Sequence, residues 1–334
     1  MKRRLQLVAG LVISAVAVWF SMRDVDPAAV WHALRHANYL GFVAAVATTL
    51  VGFWLRALRW RSLIAAPKRL DLDSLFSATM IGFMANNVLP LRLGEFVRPW
   101  ALARRVGLSK STLFATVVVE RAVDMITLLA ILGIALLVHP ISEATEAGRM
   151  VRAGAGVLVA TCLVLTLFVV ALERQPRFAH AAIGRLSAPL PEWARARVAG
   201  MLAHFVEGLG LFRDLRRLSW VFLLSFLMFG VVVVGLQASM WALAIDLPWY
   251  AGLIMLVITA IGIMVPAAPG YIGTMNVACI AGLALLRVGK DYAVPFSWFY
   301  WASQWAPVTL VGLFYLQREG LSLRSLGQAQ EDGA

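Results

Sequence analysis

The stretch 86–98, NNVLPLRLGEFVR, follows an apolar run and places charged residues in a chain that is otherwise rich in apolar segments. Pro90 and Gly94 would break a membrane-spanning helix, and broken backbone at membrane depth is tolerated only where protein covers it or where it lines a cavity. Arg92 and Arg98 are costly in lipid, so such charges usually face a bundle interior or a water-filled cavity. The stretch therefore predicts a transport or lipid-handling site. The alternative is a cytoplasmic loop whose arginines contact phospholipid headgroups.

The composition is that of a membrane protein. Hydrophobic residues make up 61% of the chain and charged residues 14%, against about 45–50% and about 25% in soluble domains. The net charge of +12 comes mostly from arginines between apolar runs, which is typical of the positive-inside rule and does not indicate nucleic acid. The two cysteines lie in apolar runs and offer neither a disulfide framework nor a metal site. No metal and no cofactor is predicted.

Long apolar runs predict an all-α polytopic membrane protein. Six runs are each long enough to span a bilayer: Leu5–Phe20, Tyr39–Leu55, Thr112–Val138, Val151–Leu172, Leu218–Ile245 and Ala293–Leu316. Two further regions are interrupted: Leu75–Leu89 before Pro90 and Gly94, and Ala251–Leu286 around Pro266, Pro269 and Gly270.

Positive charge predicts how the chain crosses the membrane. If Leu75–Leu89 crossed, the basic residues at 104, 105 and 110 would lie outside, against the positive-inside rule. A re-entrant hairpin removes this conflict, and the same reasoning makes 251–286 a hairpin from the other side, with both termini cytoplasmic. The prediction is one membrane domain, 1–320, with inverted halves at about 1–140 and 150–318, a basic cytoplasmic linker at about 173–217, and a short tail, 321–334. Inverted repeats with interrupted helices are typical of secondary transporters, whose sites lie where the hairpins meet.

A second group of charges lies inside an apolar run. Glu120 and Asp124 are four residues apart and share one helix face, while Arg121 lies beside them. Ionisable groups at membrane depth need partners. The hairpin just before supplies them: Arg92, Glu95 and Arg98. The sequence therefore predicts a buried cluster of mixed charge. It is either a substrate site or a structural pin between hairpin and helix.

Arginine in this cluster suits a phosphate group, because its planar guanidinium makes paired hydrogen bonds. The acidic members could orient the arginines, bind a cationic headgroup or carry a proton, and the sequence does not choose among these. Arg56 and Arg59 at the end of the second run are interpreted as a headgroup anchor, with extension of the arginine groove as the alternative. Trp60 is expected at a membrane interface.

The second hairpin, 264–276, reads MVPAAPGYIGTMN and carries no charge. Gly270 and Gly273 permit close backbone approach, and Pro266 and Pro269 end the incoming half-helix. Neutral hydrogen-bonding side chains are the candidates for a site here: Asn86 on the first hairpin, and Tyr271, Thr274, Asn276 and Gln304 in the second half.

Three motifs together resemble the membrane domain of the lysylphosphatidylglycerol synthases, a flippase-like family. They are RALRW at 56–60, NNVLPLRLGEFVRPW at 86–100 with VVVERAVD at 117–124, and PAAPGYIGT at 266–274. The resemblance implies a lipid-translocating role. The residues that match are Asn86, Pro90, Arg92, Gly94, Glu95, Arg98, Glu120, Arg121 and Asp124, then Pro269, Gly270 and Gly273. Many members carry a glutamate shortly after the second glycine motif, where this chain has Asn276. The resemblance covers the membrane domain and not the aminoacyl-transferase domain of the full synthases, so lysyl transfer to lipid is not expected.

The leading prediction is a lipid flippase-like transporter of the cytoplasmic (inner) membrane. Its substrate would be a phospholipid, a glycolipid or a polyprenyl phosphate, with the anionic headgroup held by Arg92, Arg98 and Arg121. No G-x-S-x-G, Walker A or H-E-x-x-H motif occurs, so no enzyme activity is predicted. Two alternatives stay open: an intramembrane transferase with Glu120 or Asp124 as base, and a non-catalytic membrane partner of a glycosyltransferase or similar enzyme. A homo-oligomer or a lipid-modifying enzyme is open as protein partner.

Overall fold

The computed structural model describes residues 2–23, 25–64, 70–89, 94–138, 215–264 and 268–323, with isolated positions at 149, 153, 156, 159, 160, 163 and 326. All regular secondary structure in these ranges is helical, which confirms the predicted all-α class. The helices are α1 Lys2–Met22, α2 Pro27–Arg35, α3 Tyr39–Leu63, α4 Leu72–Val88, α5 Gly94–Val106, α6 Lys110–Val138, α7 Leu215–Ala242, α8 Ala251–Met264, α9 Thr274–Leu285 and α10 Lys290–Arg318, with a 3₁₀ turn at Pro269–Tyr271.

Three of the described helices are long and apolar enough to cross a membrane: Tyr39–Leu63, Lys110–Val138 and Arg216–Ala242. Each corresponds to one of the six predicted spans. The predicted span 293–316 forms part of α10, a helix of 29 residues. The first predicted span lies in α1, and the run 151–172 and the linker 173–217 fall largely outside the described residues. Six spans therefore stay a prediction.

Helix α2 lies in the connection between the first two apolar runs, where no helix is predicted from the sequence. Its start is marked by Asp26, whose side chain accepts a hydrogen bond from the Ala28 amide, and by Pro27 at the first helical position. A carboxylate cap followed by proline is a typical helix start. The carboxylate accepts a hydrogen bond from a first-turn amide, and proline has no amide hydrogen that would need a partner. The helix is only nine residues long, which is why no apolar run marks it.

The first hairpin is a close contact between α4 and α5. A Cβ atom on Gly94 would overlap the carbonyl oxygen of Gly82 and lie 2.6 Å from Oδ1 of Asn86. That same Oδ1 accepts a hydrogen bond of 2.7 Å from the Gly94 amide. The two helices have 17 and 13 residues, fewer than the about 20 that a spanning helix needs. Glycine at both contact positions lets the backbones meet this closely.

Replacing Gly94 by alanine is expected to destabilise the protein by about 1–3 kcal/mol, because backbone atoms would have to separate to admit the new methyl group. Thermal unfolding of the purified protein in detergent measures this. Gly133→Ala in α6 is the matched control, since a Cβ there meets no heavy atom within 4 Å. The control should be neutral or more stable by up to about 1 kcal/mol. Equal melting temperatures for the two variants would contradict the close contact.

The second hairpin joins α8 and α9 through the 3₁₀ turn. Gly270 has φ 73° and Gly273 has φ 87°, a left-handed backbone that favours glycine. Pro269 is at the first position of the turn, and Trp301 of α10 donates a hydrogen bond of 2.8 Å to the Gly270 carbonyl. The α8 and α9 helices have 14 and 12 residues, so each is also shorter than a span. Pro266 lies outside the described residues.

Candidate functional site

The charged residues predicted on α6 lie in a buried ion-pair cluster. Glu120 is fully buried and lies within 3.0 Å of three arginines. Its Oε1 is 2.8 Å from Nη1 of Arg56 and 3.0 Å from Nη2 of Arg59, and its Oε2 is 2.8 Å from Nη1 of Arg98. Asp124 is 2.6 Å from Nη1 of Arg59 and 3.3 Å from Nη1 of Arg56. Helices α3, α5 and α6 are thereby joined through two carboxylates.

Arg121 and Glu95 form the outer part of the cluster. The Arg121 guanidinium lies 3.4 Å from Glu120, 3.6 Å from Asp124 and 3.9 Å from Glu95. The Glu95 side chain is 37% exposed and the Arg121 side chain 34%. The structure therefore brings the predicted residues of α5 and α6 together, with Glu95 the most loosely held. Arg92 and Pro90 lie outside the described residues.

The cluster carries more positive than negative charge. Within the described ranges, four guanidinium groups meet three carboxylates. Nε of Arg59 and both Nε and Nη2 of Arg98 are buried and have no hydrogen-bond partner in those ranges. A buried donor without a partner costs about 1–3 kcal/mol, so an anionic group beside these arginines would be strongly favoured.

Arg59 and Trp60 correct two interpretations of the sequence. Arg59 is fully buried, so it is not a headgroup anchor at the surface. Its Nη1 also donates to Oγ of Ser225 on α7, 2.6 Å away, a residue that no sequence pattern marks. Trp60 is equally buried; its Nε1 donates to Oγ1 of Thr116, and its ring lies 3.9 Å from Cζ of Arg98. The tryptophan therefore supports a buried cation through its ring face rather than marking an interface.

A cavity of about 240 Å³ adjoins the cluster and receives residues from both hairpins. Phe83 and Asn87 come from the first hairpin, and Gly270 and Tyr271 from the second. Arg56 is the one charged side chain among the described residues that line it, and it belongs to the ion-pair cluster as well. The other lining residues are mostly apolar or aromatic, with Gln304, Thr49 and Thr259 as further polar members. The cavity thus combines an apolar wall with a single cationic group.

Three of the predicted polar residues lie in structural contacts instead of on the cavity wall. Asn86 holds the first hairpin closed through the Gly94 amide. Asn276 is fully buried, accepts from the Gly273 amide at 3.0 Å and donates to Oγ of Ser297 at 3.1 Å. The Thr274 hydroxyl donates to the Tyr271 carbonyl. The structure therefore places Tyr271 and Gln304 at the cavity, and these three residues in the supports around it.

Comparison with known proteins assigns the family. The sequence profile of the lysylphosphatidylglycerol synthase TM region matches residues 7–312. The chain belongs to this family. The resemblance predicted from the three motifs is confirmed, and the protein is a multi-pass helical membrane protein.

Two curated relatives are similar in sequence to part of this chain. Glycosyltransferase AglD of Haloferax volcanii is 30% identical over 135 residues, which are 40% of this chain and 22% of that protein. A UPF0104 membrane protein of Methanothermobacter thermautotrophicus is 30% identical over 135 residues, 38% of this chain and 40% of that protein. The matches therefore span about a fifth and two fifths of these relatives.

A polar network at the ends of α4, α5 and α10 is a feature that sequence reasoning missed. Arg105 at the end of α5 lies 3.2 Å from Asp73 at the start of α4 and 2.9 Å from Glu319 just after α10. The Tyr315 hydroxyl donates to Asp73 at 3.0 Å. The network fixes both ends of the first hairpin against the last helix. Its members are far apart in sequence and lie in charged segments that resemble ordinary loop ends, so no local pattern marks them.

Proposed function

We propose that this protein moves a phosphate-bearing lipid across the membrane through the cavity between its two hairpins. The observation that carries the proposal is the cavity wall. Residues of both hairpins meet there, the wall is largely apolar, and Arg56 links it to the buried ion-pair cluster. An apolar site with a few placed polar groups is the usual form of a small-molecule pocket. A guanidinium group is well suited to bind a phosphate.

The proposal includes a topology. Both hairpins would enter the cytoplasmic (inner) membrane without crossing it, from opposite sides, with six spans around them and both termini in the cytoplasm. Support comes from the short hairpin helices, of 12 to 17 residues, and from the broken backbone at Gly270 and Gly273, which is covered by α1 and α10. Irregular backbone at membrane depth requires such cover. The two hairpins would belong to inverted halves of one membrane domain.

The arginines and the acids of the cluster would have different roles in transport. Arg56 lies at the cavity and would receive the lipid phosphate, with Arg98 and Arg121 of the same cluster as further cations. Glu120 and Asp124 would hold these guanidinium groups in place between transport events, because a buried cation without a counter-charge is strongly unfavourable. No covalent step on the lipid is part of this proposal. Neither Glu120 nor Asp124 is among the residues that line the cavity, which disfavours the intramembrane transferase.

A substitution that fills the cavity tests the proposal without changing any charged residue. Gly52 lines the cavity, is buried, and has open space where a Cβ would lie, with no heavy atom within 4 Å. Gly52→Leu should therefore fill the cavity while leaving the fold intact. We expect wild-type protein in liposomes to move fluorescent phosphatidylglycerol and phosphatidylinositol between leaflets faster than protein-free liposomes, and the plugged variant to fall to the protein-free rate.

Gly133→Leu is the matched control, since Gly133 is exposed on α6 and also meets open space. It should transport like the wild type, and both variants should elute as single species from gel filtration. A wild-type rate equal to that of protein-free liposomes would overturn the proposal. If Gly52→Leu moved lipid at the wild-type rate, the cavity would not be part of the transport pathway.

The name of one relative favours a second candidate, a non-catalytic membrane partner of a lipid glycosyltransferase. The matching part of AglD is 22% of that protein, so the shared region would serve as a membrane platform for an enzyme domain located elsewhere. Under this candidate the pure protein moves no lipid, whereas a glycosyltransferase co-purifies with it and is more active in its presence. The liposome assay and this co-purification give opposite results for the two candidates.

A further inference from the structure

We infer that the transported lipid carries a neutral, hydroxyl-bearing group on its phosphate, such as a single sugar or polyol ring, and not a cationic amine. The inference rests on the proposed function and names the substrate class for the same cavity. Two independent features of the cavity support it: its charge, and the kind of polar and aromatic side chains on its wall.

The charge of the site excludes a cationic head. None of the described residues that line the cavity is acidic, and neither helix break, 90–93 or 265–267, contains an aspartate or glutamate. The carboxylates of the neighbouring cluster are all paired with arginines: Glu120 and Asp124 at 2.6–3.0 Å, and Glu95 at 3.9 Å. An ammonium group would enter a largely apolar space whose described wall offers no acidic side chain, beside Arg56 and a phosphate already bound to that arginine. Burying an unpaired charge in this way is far costlier than burying a neutral polar group.

The wall offers what a hydroxylated ring needs. Trp301 and Trp305 both line the cavity, and their rings stack with centroids 5.5 Å apart and an angle of 21°. The flat C–H face of a sugar ring packs well on an indole face. Two amides lie close by on the same wall: Asn87 and Gln304. The Nδ2 of Asn87 donates to Thr309 at 3.0 Å and to the Trp305 carbonyl at 3.4 Å, so these bonds use its donor group, and its Oδ1 would accept from a ligand hydroxyl.

The size of the cavity suits a head of about one ring. Its volume of about 240 Å³ is below the about 300–1,000 Å³ of pockets that enclose a drug-sized molecule. Lipid tails need no room there, because they can remain between the exposed apolar faces of the outer helices. A single phosphate-linked ring fits this space, with its phosphate at Arg56 and its hydroxyls at the amides.

Competition between two phospholipids with identical acyl chains tests the inference. Phosphatidylinositol carries a neutral hydroxylated ring and phosphatidylethanolamine an ammonium group, and both have one phosphodiester. We expect phosphatidylinositol to compete at least about tenfold better for transport of fluorescent phosphatidylglycerol, as two added hydrogen bonds would give. Trp305→Leu and Gln304→Leu should each reduce this preference. Trp249→Leu is the control, because Trp249 is exposed and lies away from the cavity wall.

The outcomes separate the inference from the proposed function. If phosphatidylethanolamine competes equally well or better, the inference of a neutral head is wrong, while the proposal of lipid transport still stands. Both cavity variants should elute as single species. If each keeps the full preference for phosphatidylinositol, Trp305 and Gln304 do not recognise the head. Transport of no phosphodiester lipid by the wild type overturns both the proposed function and the inference.

Discussion

Replacing Glu120 by glutamine is expected to destabilise the folded protein by about 3–5 kcal/mol, the cost of removing one partner from a buried ion pair. Glu120 is fully buried and lies within 3.0 Å of Arg56, Arg59 and Arg98. The glutamine would leave these guanidinium groups with a neutral acceptor in a space without bulk water. Thermal unfolding in detergent, followed by tryptophan fluorescence or by loss of the monodisperse peak, measures the effect.

Two variants separate a charge effect from a packing effect. Glu95→Gln removes a carboxylate of the same cluster that is 37% exposed and 3.9 Å from its partner, so it should cost less than about 1 kcal/mol, as exposed ion pairs do. Combining Glu120→Gln with Arg98→Met removes one charge of each sign and should regain part of the lost stability. A Glu120→Gln protein as stable as the wild type would mean that the cluster contributes nothing to holding α5 and α6 together.

The sequence predicts helices better than it predicts where they end. The apolar run 39–55 indicates the second helix, yet α3 continues to Leu63. An apolar-run criterion stops at the first charge, at Arg56, because it treats charge as a sign of water. In the folded protein Arg56 and Arg59 are paired with α6, so the helix continues through them. The charges that appear to end a span are instead the ones that join it to its neighbours.

Contacts between distant segments could not be predicted from the sequence. Glu120 and Asp124 are recognisable because buried acids four residues apart in an apolar run need partners. Arg59, which pairs with both acids, is less obvious as a partner, since arginines at the end of a span usually contact headgroups. Ser225, 166 residues from Arg59, is a serine in an apolar helix and has no local signal. Its role follows only from how α3 and α7 pack.

At the hairpins, too, the sequence predicts where the helices break but not which side chains meet. Proline and glycine mark both breaks, and α4, α5, α8 and α9 begin or end within a few residues of them. The cavity between the hairpins depends on which side chains meet after packing. Tyr271 and Gln304 lie on its wall, while Asn276 is consumed by a helix cap and by Ser297. All three are neutral polar residues in the same half of the sequence, so residue type alone does not separate cavity-wall residues from those that hold the structure together.

Replacing Arg56 by glutamine is expected to reduce lipid transport about tenfold to a hundredfold, the loss of a charge-assisted hydrogen bond of about 1.5–3 kcal/mol to a phosphate. Arg56 is the charged group on the cavity wall among the described residues, so the lipid phosphate loses its contact there. Stability should fall much less than in Glu120→Gln, because Glu120 keeps Arg59 and Arg98. The liposome assay measures transport, and thermal unfolding measures stability on the same preparation.

Arg56→Lys and Arg61→Gln complete the comparison. Lysine keeps the charge but loses the planar fork, so transport should recover only in part. Arg61 is on the same helix but exposed, and its replacement should leave transport unchanged. If the cluster were only a pin between helices, transport in Arg56→Gln, Arg56→Lys and Glu120→Gln would fall in proportion to the stability lost. A transport loss in Arg56→Gln at nearly wild-type stability is the result that separates a substrate site from a pin, and its absence would leave the ion pairs as architecture alone.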